Sequence, residues 1–159
     1  MAAATFEDAI VIASSPAALF ELTQDYSRRL EWDPFLKVAE LRHGATAAGL
    51  GVRAWCVARS GIGMETEYVS FQPPERTAVR MTEGPFFLGK FSGSWVFTAQ
   101  EDGRTRVTFR YNLVTRPAWL GGLLRGVFSR DTTRRLHALK AFVEDPSRAP
   151  SPRVTPESG

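Results

Sequence analysis

The chain carries one cysteine, Cys56, two histidines, His43 and His137, and few lysines, so that arginine supplies nearly all of its 20 cationic side chains. A single thiol excludes an intramolecular disulfide and gives no sign of zinc or a redox pair. The histidines stand alone, with no HxxE or HExxH spacing and no Cys/His cluster, so no metal site is expected. GxSxG, Walker and GxGxxG patterns are also missing, and no cofactor is expected. No uncharged apolar run approaches the ~20 residues that span a bilayer. The opening MAAATFED lacks both a charged n-region and a long apolar h-region. No secretory signal is therefore expected, and the cytoplasm is the expected location.

What remains is enough for one domain with a real core: 159 residues, 43 % of them apolar. The net charge of +3 comes from arginines spread along the chain rather than gathered in one block. That spread argues against DNA and RNA as partners and for solvated charged faces.

Thr5–Ala13 is β-rich and reads as a first strand. Ser14-Ser15-Pro16 supplies an N-cap and a first-turn proline for a short helix over Ala17–Thr23. A second helical piece is expected over Asp25–Leu30, stopping before Pro34, and a strand over Phe35–Arg42. The following strands can be phased by parity, because successive side chains alternate faces. The inward sets are Val52, Ala54, Cys56 and Ala58, then Met64, Thr66, Tyr68 and Ser70, then Thr77, Val79 and Met81. They continue with Phe91, Gly93, Trp95 and Phe97, then Thr105, Val107, Phe109, Tyr111 and Leu113. The opposite faces carry charge, and matching parities around Ser60–Gly63 pair Arg59 with Glu65 and Cys56 with Tyr68. Glu65 and Glu67 are thereby placed on a wet outer face.

A long amphipathic helix, roughly Pro117 to Val143, follows with the apolar stripe Leu120, Leu124, Phe128, Leu136, Leu139 and Val143. One closing helix over a curved antiparallel sheet of about seven strands makes an α+β container. Residues 1–144 form the expected ligand-binding domain, and the Pro/Ser-rich stretch 145–159 is expected to be a disordered tail.

The interior is apolar with a few polar groups. Cys56, Met64, Tyr68, Met81, Phe91, Trp95, Phe109, Tyr111, Leu124 and Phe128 are the expected ligand-facing residues. No catalytic residue is assigned; the candidates to test are Asp8, Asp131, Tyr68 and Tyr111. Cys56, on a small apolar face, reads as a packing thiol rather than a nucleophile. Two apolar, glycine-bracketed segments would form a gate: Phe86, Phe87 and Leu88 in one, Trp119, Gly121 and Gly122 in the other. The alternative is that they pack together to cap the core, and a transient membrane contact through Trp119, the phenylalanines, Arg116 and Arg125 is a third reading.

The opening Ile10-Val11-Ile12-Ala13-Ser14-Ser15-Pro16, the segment Glu31-Trp32-Asp33-Pro34-Phe35 and the hairpin Ser94–Phe97 … Asp102–Phe109 resemble the helix-grip fold of the START-like (SRPBCC) superfamily. Within it, the chain looks like the polyketide cyclase/dehydrase and lipid-transport family over about residues 5–143. The resemblance implies a deep cavity between sheet and long helix that holds an apolar ligand, with no family catalytic motif to carry over. Trp32 and Phe35 are expected to pack the short helices beneath the sheet. The leading expectation is binding or transport of a small apolar or amphipathic ligand, a lipid or polyketide. The alternatives are a cyclase/aromatase- or dehydratase-like enzyme, or a membrane- or RNA-associated protein using the basic last helix.

Overall fold

The computed structural model describes residues 3–148; the tail expected to be disordered lies, from 149 onward, outside them. In chain order the elements are β1 (Ala3–Ile12), α1 (Pro16–Gln24), α2 (Arg29–Trp32), β2 (Leu36–Leu41), β3 (Arg53–Ala58), β4 (Gly63–Gln72), β5 (Arg76–Glu83), β6 (Leu88–Ala99), β7 (Thr105–Thr115) and α3 (Leu120–Glu144). The strands form one antiparallel, curled sheet in the order β1-β7-β6-β5-β4-β3-β2. Strands β2 to β7 are a meander, whereas β1 pairs with β7 at the far edge. The chain must therefore cross the sheet's full width between β1 and β2, and α1 and α2 make that crossing. They pack on β6, on β2 and on α3, closing one end of the half-barrel. Register shifts at Glu65/Thr66 and Tyr68/Ser70 put bends into β4 where the sheet curls.

The local signals act as their chemistry dictates. Ser15 Oγ accepts from Ala18 N at 3.2 Å to cap α1. The second short helix is α2, later than the expected Asp25–Leu30. Asp25 instead ends α1, and its carboxylate accepts from Ser27 N and Oγ in a local turn that delays the restart to Arg29. Helix α3 starts at Leu120, after a turn in which Pro117 O accepts from Leu120 N. It lies chiefly on β1 and β7. Asp8 Oδ2 accepts from Thr133 Oγ1 at 2.7 Å, and Lys140 Nζ donates to Val11 O at 2.8 Å, pinning that contact. Ile12, Leu19, Val107, Leu113, Leu136 and Leu139 are fully buried there.

Inward parity holds along β3 to β7 except at the end of β4. There the bulge at Tyr68/Ser70 flips the phase, so that Phe71, and not the expected Ser70, turns inward against Phe20. The outer-face charges do not follow the expected register either. The β3–β4 pairing places Arg53 opposite Glu67 and Cys56 opposite Met64, so neither the Arg59–Glu65 pair nor the Cys56–Tyr68 pair forms. The turn closes through Gly61 N donating to Ala58 O, nearer the strand ends than parity alone suggested. Glu65 is not on a wet face: it is 2 % exposed. Thr82 Oγ1 donates to it at 2.7 Å, and Arg53 and Arg42 approach at 3.3 and 3.5 Å. The Thr82 bond, then burial in opposition, then the two arginines leave its carboxyl below its ordinary value.

Candidate functional site

Because α3 rests on the β1–β7 side, the concave face of β3–β6 is left uncovered at its centre, and a cavity of about 430 Å³ opens there. Parity sets its walls: Cys56 and Ala58 of β3, Met64, Thr66 and Tyr68 of β4, Thr77 and Val79 of β5, and Phe91, Gly93 and Trp95 of β6 line it. Gly93 contributes room by having no side chain; a Cβ there would meet the Phe109 and Phe91 rings at 3.5 and 3.6 Å. Leu124, Val127 and Phe128 of α3 close the opposite side. The mouth lies among Ile62 in the β3–β4 turn, the 85–88 loop and Val127; Ile62 and Val127 are 42 % and 50 % exposed.

One end of the cavity is polar. Gln24 from α1, Tyr26, Arg29 from α2, Cys56, Tyr68 and Arg135 from α3 converge there. Tyr68 Oη donates to Gln24 Oε1 at 2.6 Å and lies 3.4 Å from Tyr26 Oη, while Gln24 Nε2 donates to Thr23 Oγ1 at 2.9 Å. Behind this group sits Asp33, 1 % exposed. Its Oδ2 accepts from Arg29 Nε at 2.9 Å, its Oδ1 from Phe35 N at 3.0 Å, and Arg135 Nε stands 3.0 Å from the same Oδ2. Arg29 Nη1 also donates to Thr23 O at 3.0 Å. Aromatic faces shield both guanidinium groups, Trp32 at 4.9 Å from Arg29 and Phe35 at 4.8 Å from Arg135.

Burial and charge set the protonation states. Burial opposes ionisation of Asp33, but Arg135 and Arg29 outweigh it and hold the carboxyl below its ordinary value. Burial also works against Arg29, yet Asp33 wins and its pKa is raised; for Arg135 burial prevails over Asp33 and its pKa is lowered. Burial pushes the Tyr68 phenol well above its ordinary value and raises those of Tyr26 and Cys56. At neutral pH this end therefore presents phenols, a thiol and cations.

Of the ten expected ligand-facing residues, Cys56, Met64, Tyr68, Phe91, Trp95, Phe109, Leu124 and Phe128 line the cavity. Met81 and Tyr111 do not. Met81 packs into the Gly84 turn, where a Cβ would sit 2.3 Å from its sulfur. Tyr111 turns its hydroxyl to Arg125 O at 3.2 Å. Among the candidate acid–base groups, Tyr68 and Asp131 line the cavity, whereas Asp8 is engaged with Thr133 outside it. Of the expected gate residues, Phe87 and Leu88 line the cavity while Phe86 and Trp119 are 95 % and 75 % exposed. Gly121 is buried, with Thr115 Oγ1 at 3.2 Å from where a Cβ would stand, and Gly122 faces open space. Arg116 N donates to Phe87 O at 2.9 Å, tying the loop to the approach of α3. Trp32 and Phe35 do pack here, Trp32 edge-on to Trp95.

Sequence reasoning missed Gln24, Tyr26, Arg29, Asp33 and Arg135. A signal existed for Arg135: it lies seven residues after Phe128 and eleven after Leu124, both in phase on a 3.6-residue helix. The Arg29–Asp33 spacing of four was a second signal. Among the described residues no group of three or more His, Cys, Asp or Glu side chains gathers to hold a metal.

No curated protein sequence matches this chain. Solved structures similar to it include the Zhui aromatase/cyclase of Streptomyces sp. R1128, at 18 % identity and a TM-score of 0.80 over 93 % of this chain and 98 % of that one. The protein XoxI of Bacillus cereus aligns at 13 % identity and a TM-score of 0.76, covering 89 % and 96 %. Norcoclaurine synthase of Thalictrum flavum, in complex with dopamine and hydroxybenzaldehyde, aligns at 9 % identity and a TM-score of 0.69, covering 89 % and 87 %. At these identities the likeness is one of fold. The family model for polyketide cyclase/dehydrase and lipid transport matches residues 3–144, nearly all of the described chain, and the protein belongs to that family.

Proposed function

We propose that this protein binds a small apolar or amphipathic ligand, lipid-like or polyketide-like, in the cavity between sheet and α3, and carries or presents it. The observation that supports this most is the cavity itself: about 430 Å³, apolar along its walls and polar at one end. Drug-sized ligands occupy pockets of roughly this size, in which a few polar groups fix orientation. The mouth beside Phe87, Leu88 and Val127 is the proposed entry. Uptake of the neutral probe N-phenyl-1-naphthylamine, followed by its fluorescence, tests the reading. The wild type is expected to take it up, and Thr66→Trp, which puts an indole on the cavity wall, to lose it. No uptake by the folded wild type, or equal uptake by the plugged variant, would overturn the proposal.

A second reading, a cyclase-type enzyme, draws on Tyr68 and Asp131 at the cavity and on the structural likeness to an aromatase/cyclase. It requires Asp131→Asn or Tyr68→Phe to abolish conversion of a poly-β-ketone thioester while leaving probe uptake intact. Conversion unchanged in both variants would remove that reading.

A further inference from the structure

The polar end of the cavity holds two buried arginines against one buried carboxylate. Asp33 is the counter-ion of both: Oδ2 accepts from Arg29 and faces Arg135, and Oδ1 accepts from Phe35 N. Arg29 uses Nε and Nη1 within the protein. Arg135 differs. It is 9 % exposed, its Nε has no well-formed hydrogen bond, and the Asp33 carboxylate it shares with Arg29 is its ion-pair partner among the described residues. Its Nε lies 3.0 Å from Asp33 Oδ2, close enough for charge attraction but off the line of a hydrogen bond. Its planar group lies against Phe35 at 4.8 Å and Phe109 at 5.6 Å, so the unspent N–H donors at its edge are left to face the cavity it lines.

A buried guanidinium with donors left unbonded is costly unless something completes its shell. The group that fits must be anionic, because Arg29 and Arg135 together exceed Asp33 by one charge. It must also accept two parallel hydrogen bonds from a planar fork, which carboxylates and phosphates both do. The single excess charge favours the carboxylate over a doubly charged phosphate monoester. Other charges do not cancel the excess: at the rim Asp131 is outnumbered by Arg59 and Arg134. Tyr26, held as a phenol, stands next to the site as a further donor to an anion, while the Tyr68 hydroxyl is already given to Gln24 Oε1. From Phe128 to Arg135 the helix advances about 10 Å at ~1.5 Å per residue. That leaves an apolar run between the mouth and the charge.

We propose that the ligand of this cavity is an amphipathic monocarboxylate, its tail along the apolar walls and its carboxylate on Arg135 beside Arg29. The inference rests on the binding function proposed above and names the class of molecule bound.

Displacement of N-phenyl-1-naphthylamine from the full-length protein near neutral pH by decanoate, 1-decanol and decyl phosphate tests it. Decanoate is expected to displace the probe at a concentration about tenfold or more below that of decanol, the scale of a charge-assisted hydrogen bond. Decyl phosphate, with a second charge unmatched, should fall behind decanoate. Arg135→Gln should bring decanoate level with decanol and leave decanol unchanged. Equal displacement by decanoate and decanol in the wild type overturns the carboxylate site but not the binding function. Decyl phosphate displacing best overturns the assignment to a monocarboxylate. Failure to take up the probe at all overturns the binding function and this inference with it. Should Arg135→Gln not fold, carbon-13 NMR of carboxyl-labelled decanoate on the wild type decides. Bound carboxyl is expected to stay ionised well below the pH at which free decanoate protonates, and titration at the free value refutes the contact.

Discussion

Replacing Asp33 with asparagine removes the carboxylate that two buried guanidinium groups share. The substitution is nearly isosteric, and Oδ1 can still accept from Phe35 N, so packing is left alone and the charge is isolated as the variable. Asp33 is 1 % exposed, and Arg29 and Arg135 are 6 % and 9 % exposed, so solvent cannot take over the neutralisation. Breaking a buried pair in this way leaves an unpaired buried charge and costs about 3–5 kcal/mol. Here two cations lose their partner, which favours the upper part of that range. Against a total stability of about 5–15 kcal/mol for a domain of this kind, the loss is severe. In urea, with a slope of about 2 kcal/mol/M, the midpoint should fall by roughly 2 M with the slope unchanged. The loss should also depend on pH. The folded-state carboxyl of Asp33 is held below its unfolded value, so its contribution is fully present above about pH 4. It is lost as pH falls through the lower folded value, and the gap between wild type and variant should close in acid. Arg135→Met is the control: Asp33 keeps Arg29, repulsion between the arginines is relieved, and stability should change little. A midpoint for Asp33→Asn within about 1 kcal/mol of wild type, or an equal loss in Arg135→Met, would refute the charge arithmetic.

Further outcomes follow from the same polar end. Tyr68→Phe strands Gln24 Oε1 in a buried setting and is expected to lower stability by about 1–3 kcal/mol, read as a drop in Tm; no drop would show that water replaces the phenol. Because burial raises the folded-state pKa of Tyr68 and Tyr26, stability from these phenols is present below about pH 10 and is lost as pH rises towards the folded values. Absorbance titration at 295 nm should show them ionising only with unfolding, and ionisation of all three tyrosines in the native protein near pH 10 would contradict their placement. Cys56, its thiol pushed up by burial, should react with a water-soluble disulfide reagent several-fold more slowly than free cysteine at pH 8. Decanoate should slow it further, and labelling indifferent to ligand would place the thiol outside the occupied volume.

The parity of β3 to β7 was legible from residue order alone, save beyond the β4 bulge, where Phe71 takes the inward place expected of Ser70. A strand with arginine or glutamate on one face and Ala54, Cys56, Val79 or Trp95 on the other has one way to face a core. Capping chemistry at Ser15-Pro16 and the period of α3 were legible for the same reason: each depends on neighbours a few residues away. Register was not, since a two-residue shift of the β3–β4 turn preserves parity while moving every residue's partner by four. That is why Arg53, and not Arg59, neutralises Glu65. Met81 and Tyr111 obey inward parity yet miss the cavity, because the sheet curls and α3 covers only part of it.

The charged end of the cavity lay furthest from view. Arg29 and Asp33, beside a tryptophan, and Arg135, among the helix arginines, gain their meaning only when α2 and α3 meet beneath the sheet. The sequence by itself determined a one-sided sheet, a closing helix and an apolar interior, through side-chain alternation and helical period. Only the tertiary structure decided that two guanidinium groups share one carboxylate at the end of that interior. Burial and charge imbalance are properties of what surrounds a residue, and here the surroundings come from segments about a hundred residues apart.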